Sequence, residues 1–481
     1  MRPNVKTVKN RLKVGGKGGL AMLDTFFGVR KSGSTVGREF VAGLTTFMVM
    51  AYIIFVNPMI LSFSGIKDLQ GLGPGFAPTL AVTCLVAGIM SILMGVVANY
   101  PLAMASGMGL NAVVAFQLVV GLKLPWPAAM GVIFVEGLII AVLVLTNFRE
   151  AVMNAIPLSL KQAISVGIGL FILFIGLVSG GFVKTGVGIP VTLGEFNSIQ
   201  AIVAVIGFFL IIALMALKIR GALLIGIITT TVVAVVFNAL SGYTAFTVPG
   251  VAVLPERVMT TPDFSTFGKG FNFEVFSRIG ILPASLTVFS VMLADFFDTM
   301  GTVIGIGGKA GWLDEKGRLP RVKRVLFVDS LGAALGGFAS ASSATTYIES
   351  AAGVAHGGKT GLASVVTGAL FLLALFFSPL VAIVPPQATA PALIIVGFLM
   401  CTIVRDIPFE DFEEGFPALM TLVMMPFTYS ITNGIGAGFV SYTFIKLVRR
   451  KGREVHWMMY LVSFCFMVYF SLDWLKKVLG F

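Results

Sequence analysis

The sequence predicts an all-α polytopic membrane protein built as two halves of seven spans each. Three observations carry that expectation. Of 481 residues, 57% are hydrophobic and only 12% are charged; the mean hydropathy is +0.97. A soluble domain carries about 25% charged residues. Apolar stretches long enough to cross about 30 Å of hydrocarbon recur from one end of the chain to the other. Two short segments of small and polar residues interrupt that pattern at matching places.

In the first half the spans are expected at 40–64, 77–99, 103–121, 125–146, 157–180, 199–217 and 220–240. A more polar stretch, 241–279, follows. The second half places spans at 280–305, 323–339, 341–357, 360–384, 389–404, 413–431 and 433–448. A last apolar stretch, His456 to Leu475, either crosses again or lies in the interface. Its Trp457, Tyr460, Trp474, Lys476 and Lys477 suit both readings. The expected organisation is a basic tail (1–36), a first repeat (37–240), an extracytoplasmic connection (241–279), a second repeat (280–449) and a basic loop with an apolar segment (450–481).

Lys and Arg outnumber Asp and Glu by 34 to 22, a formal charge of +12. A basic chain can signal nucleic-acid binding. Here the bases sit in short connections between apolar segments, as the positive-inside rule requires, so no nucleic-acid partner is expected. With the tail Met1–Lys31 inside, the connections Asn147–Arg149, Lys218–Arg220, Lys309–Arg324 and Lys446–Arg453 all fall on the cytoplasmic side. The tail has no signal-peptide core. Cys84, Cys401 and Cys465 lie in apolar segments without metal-ligand or disulfide spacing. His356 and His456 are isolated, and neither a metal nor a cofactor is expected.

The interrupted segments are Ala105–Ala112 and Ser340–Ser350. Each lies in the third span of its half. Because seven is odd, the halves have opposite orientation. Interrupted segments at corresponding positions of two inverted halves point to a transporter binding site, where broken backbone lines a cavity.

Intramembrane charges are costly and mark functional positions. The expected ones are Glu136, Asp295, Asp298, Asp329 and Glu349, with no Lys or Arg deep in a span. Burial without a cation favours the protonated acid, which gives proton coupling a physical basis. Asp295 and Asp298, three apart, share roughly one helix face; they either serve a site or bind helices together. Glu349 lies where a half-helix begins, beside Thr345 and Thr346. It either forms a donor/acceptor cluster with them or caps the free N–H groups there. Asn111 offers an amide that can both donate and accept, for a ligand or for holding the broken helix. Phe296 and Phe297 flank the acids and either stack on a planar ligand or pack. Glu136 is expected to pair with a neighbouring helix.

Gly353–Thr360 fits the phosphate-loop pattern G-x-x-x-x-G-K-[ST], but it joins two spans rather than a strand and a helix of a nucleotide-binding domain. It is read as a connection. No span offers a metal cluster or a nucleophile–base pair, so the chain is not expected to be an enzyme. No pore of acidic rings is readable.

The motifs Phe26–Val29, Arg38–Phe47, Ala51–Pro58, Gly107–Ala112, Asp295–Thr302, Ser343–Gly353, Pro426–Ile431 and Gly434–Ile435 resemble the AzgA-like purine permeases of the nucleobase/ascorbate transporter superfamily. The resemblance runs from about Phe26 to about Arg450 and weakens after His456. It implies the uracil-permease-type fold: two inverted repeats, a core and a gate domain, and short strands in the broken third and tenth spans. It implies import of hypoxanthine, guanine or adenine by proton symport across the cell membrane, with the N-terminus cytoplasmic. The partners are then a purine nucleobase, a proton and the lipid bilayer; a homodimer is an assembly open to it. Asp298 falls on the eighth-span acidic position that binds nucleobase in the superfamily and Glu349 on the acidic position of the tenth; Glu349 or Asp298 is the expected proton carrier. Asp329 falls on a supporting Asp of the ninth and Asn111 on the polar position of the third. Asp295, Thr346 and Phe297 complete the candidate set. The alternative on the same fold is an anion transporter of the sulfate-transporter type, against which unprotonated site carboxylates argue.

Overall fold

The computed structural model describes residues 18–64, 66–146, 155–186, 189–246, 248, 250–313 and 319–479. The expected basic connection at 147–149 and residues 1–17 of the N-terminal tail lie outside them, as do residues 314–318 of the connection before Arg324. The first half runs α1 (Gly18–Phe27), α2 (Val36–Met50), α3 (Ile53–Leu61), α4 (Phe76–Leu93), β1 (Met104–Ser106), α5 (Met108–Ala112), α6 (Trp126–Leu145) and α7 (Leu158–Ser179). A small hairpin, β2 (Val183–Lys184) and β3 (Thr192–Leu193), leads to α8 (Ile199–Ala216) and α9 (Ala222–Leu240). The second half runs α10 (Glu274–Arg278), α11 (Ile281–Lys309), α12 (Val322–Ala339), β4 (Ala344–Thr346), α13 (Ser350–Ala355), α14 (Gly361–Ala374), α15 (Ser378–Ala382), α16 (Pro386–Cys401), α17 (Phe412–Thr428), α18 (Ile431–Val448) and α19 (Trp457–Leu479).

Among the described residues, nine helical segments are long and apolar enough to cross a membrane. Their bounds follow the hydropathy pattern, because a helix is the element that satisfies its own backbone in lipid. The two interrupted segments break where the small residues begin. After β1, α5 is one short turn, and the chain continues with π-helical winding over Val113–Gly121. After β4, α13 is equally short.

The strands β1 and β4 pair antiparallel, with Met104 opposite Thr346, Ala105 opposite Thr345 and Ser106 opposite Ala344. The pairing extends outward: Gly107 N–H donates to the Ser343 carbonyl at 2.8 Å and Tyr347 N–H to the Ala103 carbonyl at 3.0 Å. Side chains take up what the short ladder leaves over. Ser91 Oγ bonds both the N–H and the carbonyl of Met104 at 2.9 and 3.0 Å. Ser106 Oγ and Asn57 Nδ2 both donate to the Ala341 carbonyl, at 2.6 and 3.1 Å. The turn from α12 into β4 bends through Ser340 and Ser342, both left-handed at φ 68° and 66°. Glycine lets α12 lie against this turn: a Cβ on Gly336 would collide with the Ser342 carbonyl.

The connection 241–279 is anchored to the helices. Asn238 brackets it, donating to the Ala252 carbonyl at 3.1 Å and accepting from Phe246 N–H at 3.2 Å. Further along, Phe271 packs on Phe134 of α6 with ring centroids 5.5 Å apart. The last apolar stretch forms α19, which packs on α18 through a Thr443–Ser463 hydroxyl pair at 2.8 Å and Phe439 against Phe466.

The phosphate-loop-like stretch binds no phosphate in this arrangement, because its backbone donors are taken. Glu39 accepts from Lys359 N–H at 2.9 Å and Thr360 N–H at 3.2 Å. Asn99 Oδ1 accepts from Gly361 N–H at 2.8 Å. These three bonds cap α14 from α2 and from the end of the second span, satisfying N–H groups that a helix start leaves unpaired.

Candidate functional site

The broken segments meet α11, α16 and the residue that precedes α3 around one small cavity. Gly107, Met108 and Gly109 form one side, Thr345 to Glu349 another, and Asp298 and Thr302 a third. Tyr52 closes one end, and Val396 with Met400 forms an apolar wall. The volume is about 60 Å³. On a scale where one water needs roughly 10–15 Å³, this is a narrow slot. No Lys, Arg or His is among the residues that line it.

Glu349 is half-buried and precedes α13. The capping alternative does not hold, since its side chain makes no cap bond. The N–H groups of Ser350, Ala351 and Ala352 instead close turns onto the carbonyls of Tyr347, Ile348 and Glu349, at 3.1, 3.0 and 2.9 Å. The expected free donors of this half-helix are therefore occupied. The Glu349 carboxylate accepts from Tyr52 Oη at 2.6 Å. Gly107 to Gly109 bring the start of α5 to the cavity, where first-turn N–H groups have no intrahelical acceptor.

Asp298 faces the cavity from α11, half-buried. Asp295 does not line it. Three residues turn a helix by about 300°, leaving the pair roughly 60° apart. That offset is enough to send Asp295 elsewhere: it is buried, and its Oδ2 accepts from Ser343 Oγ at 3.0 Å.

Asp329 stands behind β4. Its Oδ1 accepts from Thr346 N–H at 2.9 Å and Thr346 Oγ1 at 2.8 Å, and its Oδ2 from Thr299 Oγ1 at 2.7 Å. One carboxylate thus ties α12, β4 and α11 together and fixes Thr346 at the cavity edge. Thr346 lines the cavity, as expected of a candidate. Asn111 is fully buried, lies outside the lining, and has no partner for either amide atom. Phe297 is also buried outside the lining and packs edge-to-face on Phe296 at 5.4 Å.

The structure therefore brings together Asp298, Glu349 and Thr346, sets Asp329 and Asp295 behind them, and leaves Asn111 and Phe297 out of the wall. Tyr52, Thr302, Val396 and Met400 join the site without having been candidates. Tyr52 carried a faint signal, as one of several polar groups in its span beside Thr45, Thr46 and Asn57; Val396 and Met400, two apolar residues in an apolar helix, carried none.

The Permease family profile (Xan_ur_permease) matches residues 37–436. The adenine permease AdeP of Escherichia coli (strain K12) is 39% identical over 450 residues, which cover 94% of this chain and 96% of AdeP. The guanine/hypoxanthine permease PbuG of Bacillus subtilis (strain 168) is 38% identical over 453 residues, covering 93% of this chain and 99% of PbuG. Among solved structures, the transmembrane domain of the cyanobacterial bicarbonate transporter BicA matches with a TM-score of 0.59 at 13% identity, over 83% of this chain and 96% of that one. The murine anion transporter Slc26a9 in its inward-facing state gives 0.58 at 12% identity, over 86% and 68%. At such identities the likeness is one of fold: a mostly helical, multi-pass membrane protein. Permease relatives along nearly the whole chain make it a transporter and not an enzyme. The chain belongs to the Xan_ur_permease family, in the AzgA-like branch of the nucleobase/ascorbate transporter superfamily.

Proposed function

We propose that the chain imports purine nucleobases by proton symport across the cell membrane, with its N-terminus cytoplasmic. The observation that carries this reading is a cavity with two carboxylates, Asp298 and Glu349, and no base in its lining. Purines such as guanine and hypoxanthine present N–H donors beside a carbonyl. Carboxylates accept the former, and N–H groups at the start of α5 donate to the latter. The names of the relatives AdeP and PbuG support the same substrate class.

In this proposal the halves are inverted repeats. One body, the core, contains the broken segments with α11 and α12; the other, the gate, contains α7, α16, α17 and α18. Val396 and Met400 belong to the gate side of the cavity. A slot of about 60 Å³ must widen to accept a base, which motion of the core against the gate accomplishes. Asn111, one turn further along α5, meets a base seated deeper than the present slot, and Phe297, packed on Phe296 outside the lining, supports the α11 side from behind. Asp298 and Glu349 exchange the proton as the base binds and leaves. An anionic substrate would face two acids without a compensating cation, which disfavours the anion-transport alternative.

The test is uptake of labelled hypoxanthine, guanine and adenine into vesicles holding the chain, with uracil and sulfate as competitors, with and without a protonophore. Concentrative purine uptake that the protonophore abolishes is expected. Uptake indifferent to the protonophore would sink proton symport, and competition by sulfate but not by purines would sink the substrate class.

A further inference from the structure

Glu136 has no part in the cavity. It lies midway along α6, fully buried, and neither of its carboxyl oxygens has a hydrogen-bond partner. Across the contact of α6 with α11 it faces Asp295. Asp295 is 1% exposed; Ser343 serves its Oδ2, while Oδ1 is bare. The groups acting on this pair are each other, Ser343 and, from α12, Asp329. None of them is a base.

Two ionised carboxylates cannot face each other in such surroundings. Each isolated charge is costly to bury, and the two repel. A carboxylic acid, by contrast, supplies one O–H donor, and three bare oxygens meet here with no other donor. The Ser343 hydroxyl already donates to Asp295 Oδ2, so a proton on this pair lies between Asp295 Oδ1 and the Glu136 carboxyl.

We propose that Glu136 and Asp295 form a resident acid pair: one proton stays between the Glu136 carboxyl and Asp295 Oδ1 through the transport cycle. Asp295 is then held from both sides, by Glu136 and by Ser343. Ser343 leads directly into β4, and its carbonyl accepts the Gly107 N–H that joins the two broken segments. Glu136 is thus a positioning residue for the cavity wall, acting through Asp295 and Ser343. The pair's proton is distinct from the exchanged one, because neither Glu136 nor Asp295 lines the cavity that holds Asp298 and Glu349. The uptake readout rests on the transport reading above; the proton itself does not.

Infrared spectra of the purified full chain at neutral and alkaline pH test the proton directly. The carbonyl-stretch band of a buried carboxylic acid is expected to persist at alkaline pH, to vanish in Glu136→Gln and to shift in Glu136→Asp. The shift keeps the assignment testable if the amide variant fails to fold. In uptake assays, Glu136→Gln is expected to retain the wild-type rate and pH profile, because its amide donates in place of the acid. Glu136→Leu leaves Oδ1 bare and should lower uptake roughly ten- to a hundredfold. A band that titrates away, one untouched by both Glu136→Gln and Glu136→Asp, or a Glu136→Gln variant that exchanges purines but no longer concentrates them, would overturn the resident proton. If the wild-type chain carries no purine, the transport reading fails while the infrared result still decides the proton.

Discussion

Two regions of this protein bury carboxylates in opposite company. At the start of α17, Glu413 meets Lys446 Nζ at 3.0 Å, Arg449 Nε at 2.9 Å and Lys451 Nζ at 2.7 Å. Its neighbour Glu414 accepts from Ser159 Oγ at 2.5 Å and lies 3.4 Å from Lys446. Around the cavity, Glu349 and Asp329 face hydroxyls and a backbone N–H instead, and Asp298 lines a wall without Lys, Arg or His. The first cluster balances its charge internally and ties α17 to α18 and α7. On the proposed reading, the second leaves charge to be balanced by something that comes and goes. Fixed ion pairs make a clasp; acids with neutral donors make a site.

Removing a cavity acid should therefore cost transport and spare the fold. Asp298→Asn is expected to reduce purine uptake roughly a hundredfold, on the scale of about 3 kcal/mol for hydrogen bonds to a charged group. Unchanged uptake kinetics would remove Asp298 from the substrate contact. Glu413→Gln should do the reverse, lowering Tm in detergent because Lys446 loses its closest acid, while the Kd for purine stays put. A large loss of affinity without a loss of Tm would erase the distinction between the regions. Tyr52→Phe removes the donor to Glu349 and should raise KM about tenfold, for about 1.5 kcal/mol. An unaltered KM would show that the bond at 2.6 Å opens before the base binds. Met400→Leu keeps the wall apolar at similar volume, and its effect on uptake should stay below about 1.5 kcal/mol. A larger change, read from the selectivity among adenine, guanine and hypoxanthine, would give Met400 a part in choosing the base.

The helices were legible because hydropathy and length decide them, and the breaks because small, polar residues are costly in lipid-facing helix. The acids were legible for the same reason. Their partition was not. Asp295 and Asp298 share a broad face of α11, yet only the packing of α6 and β4 sends one to Ser343 and Glu136 and the other to the cavity. Nor does spacing reveal that Glu39 caps α14, since its partners lie 320 residues away. Tyr52 and Glu349 illustrate the same limit: a bond between distant spans depends on which helices become neighbours.

The pairing of β1 with β4 also dictates when the site can exist during synthesis. Tyr347 Oη donates to the Ser106 carbonyl across 241 residues of chain, and the register Met104–Thr346 spans a similar gap. Contacts of such long range carry a high loop-closure cost and form late. The first broken segment must wait without its strand partner until the second broken segment is made. A ribosome stalled anywhere in the connection 241–279 would therefore hold a nascent chain with half a cavity and nothing to seal it, a natural substrate for membrane quality control.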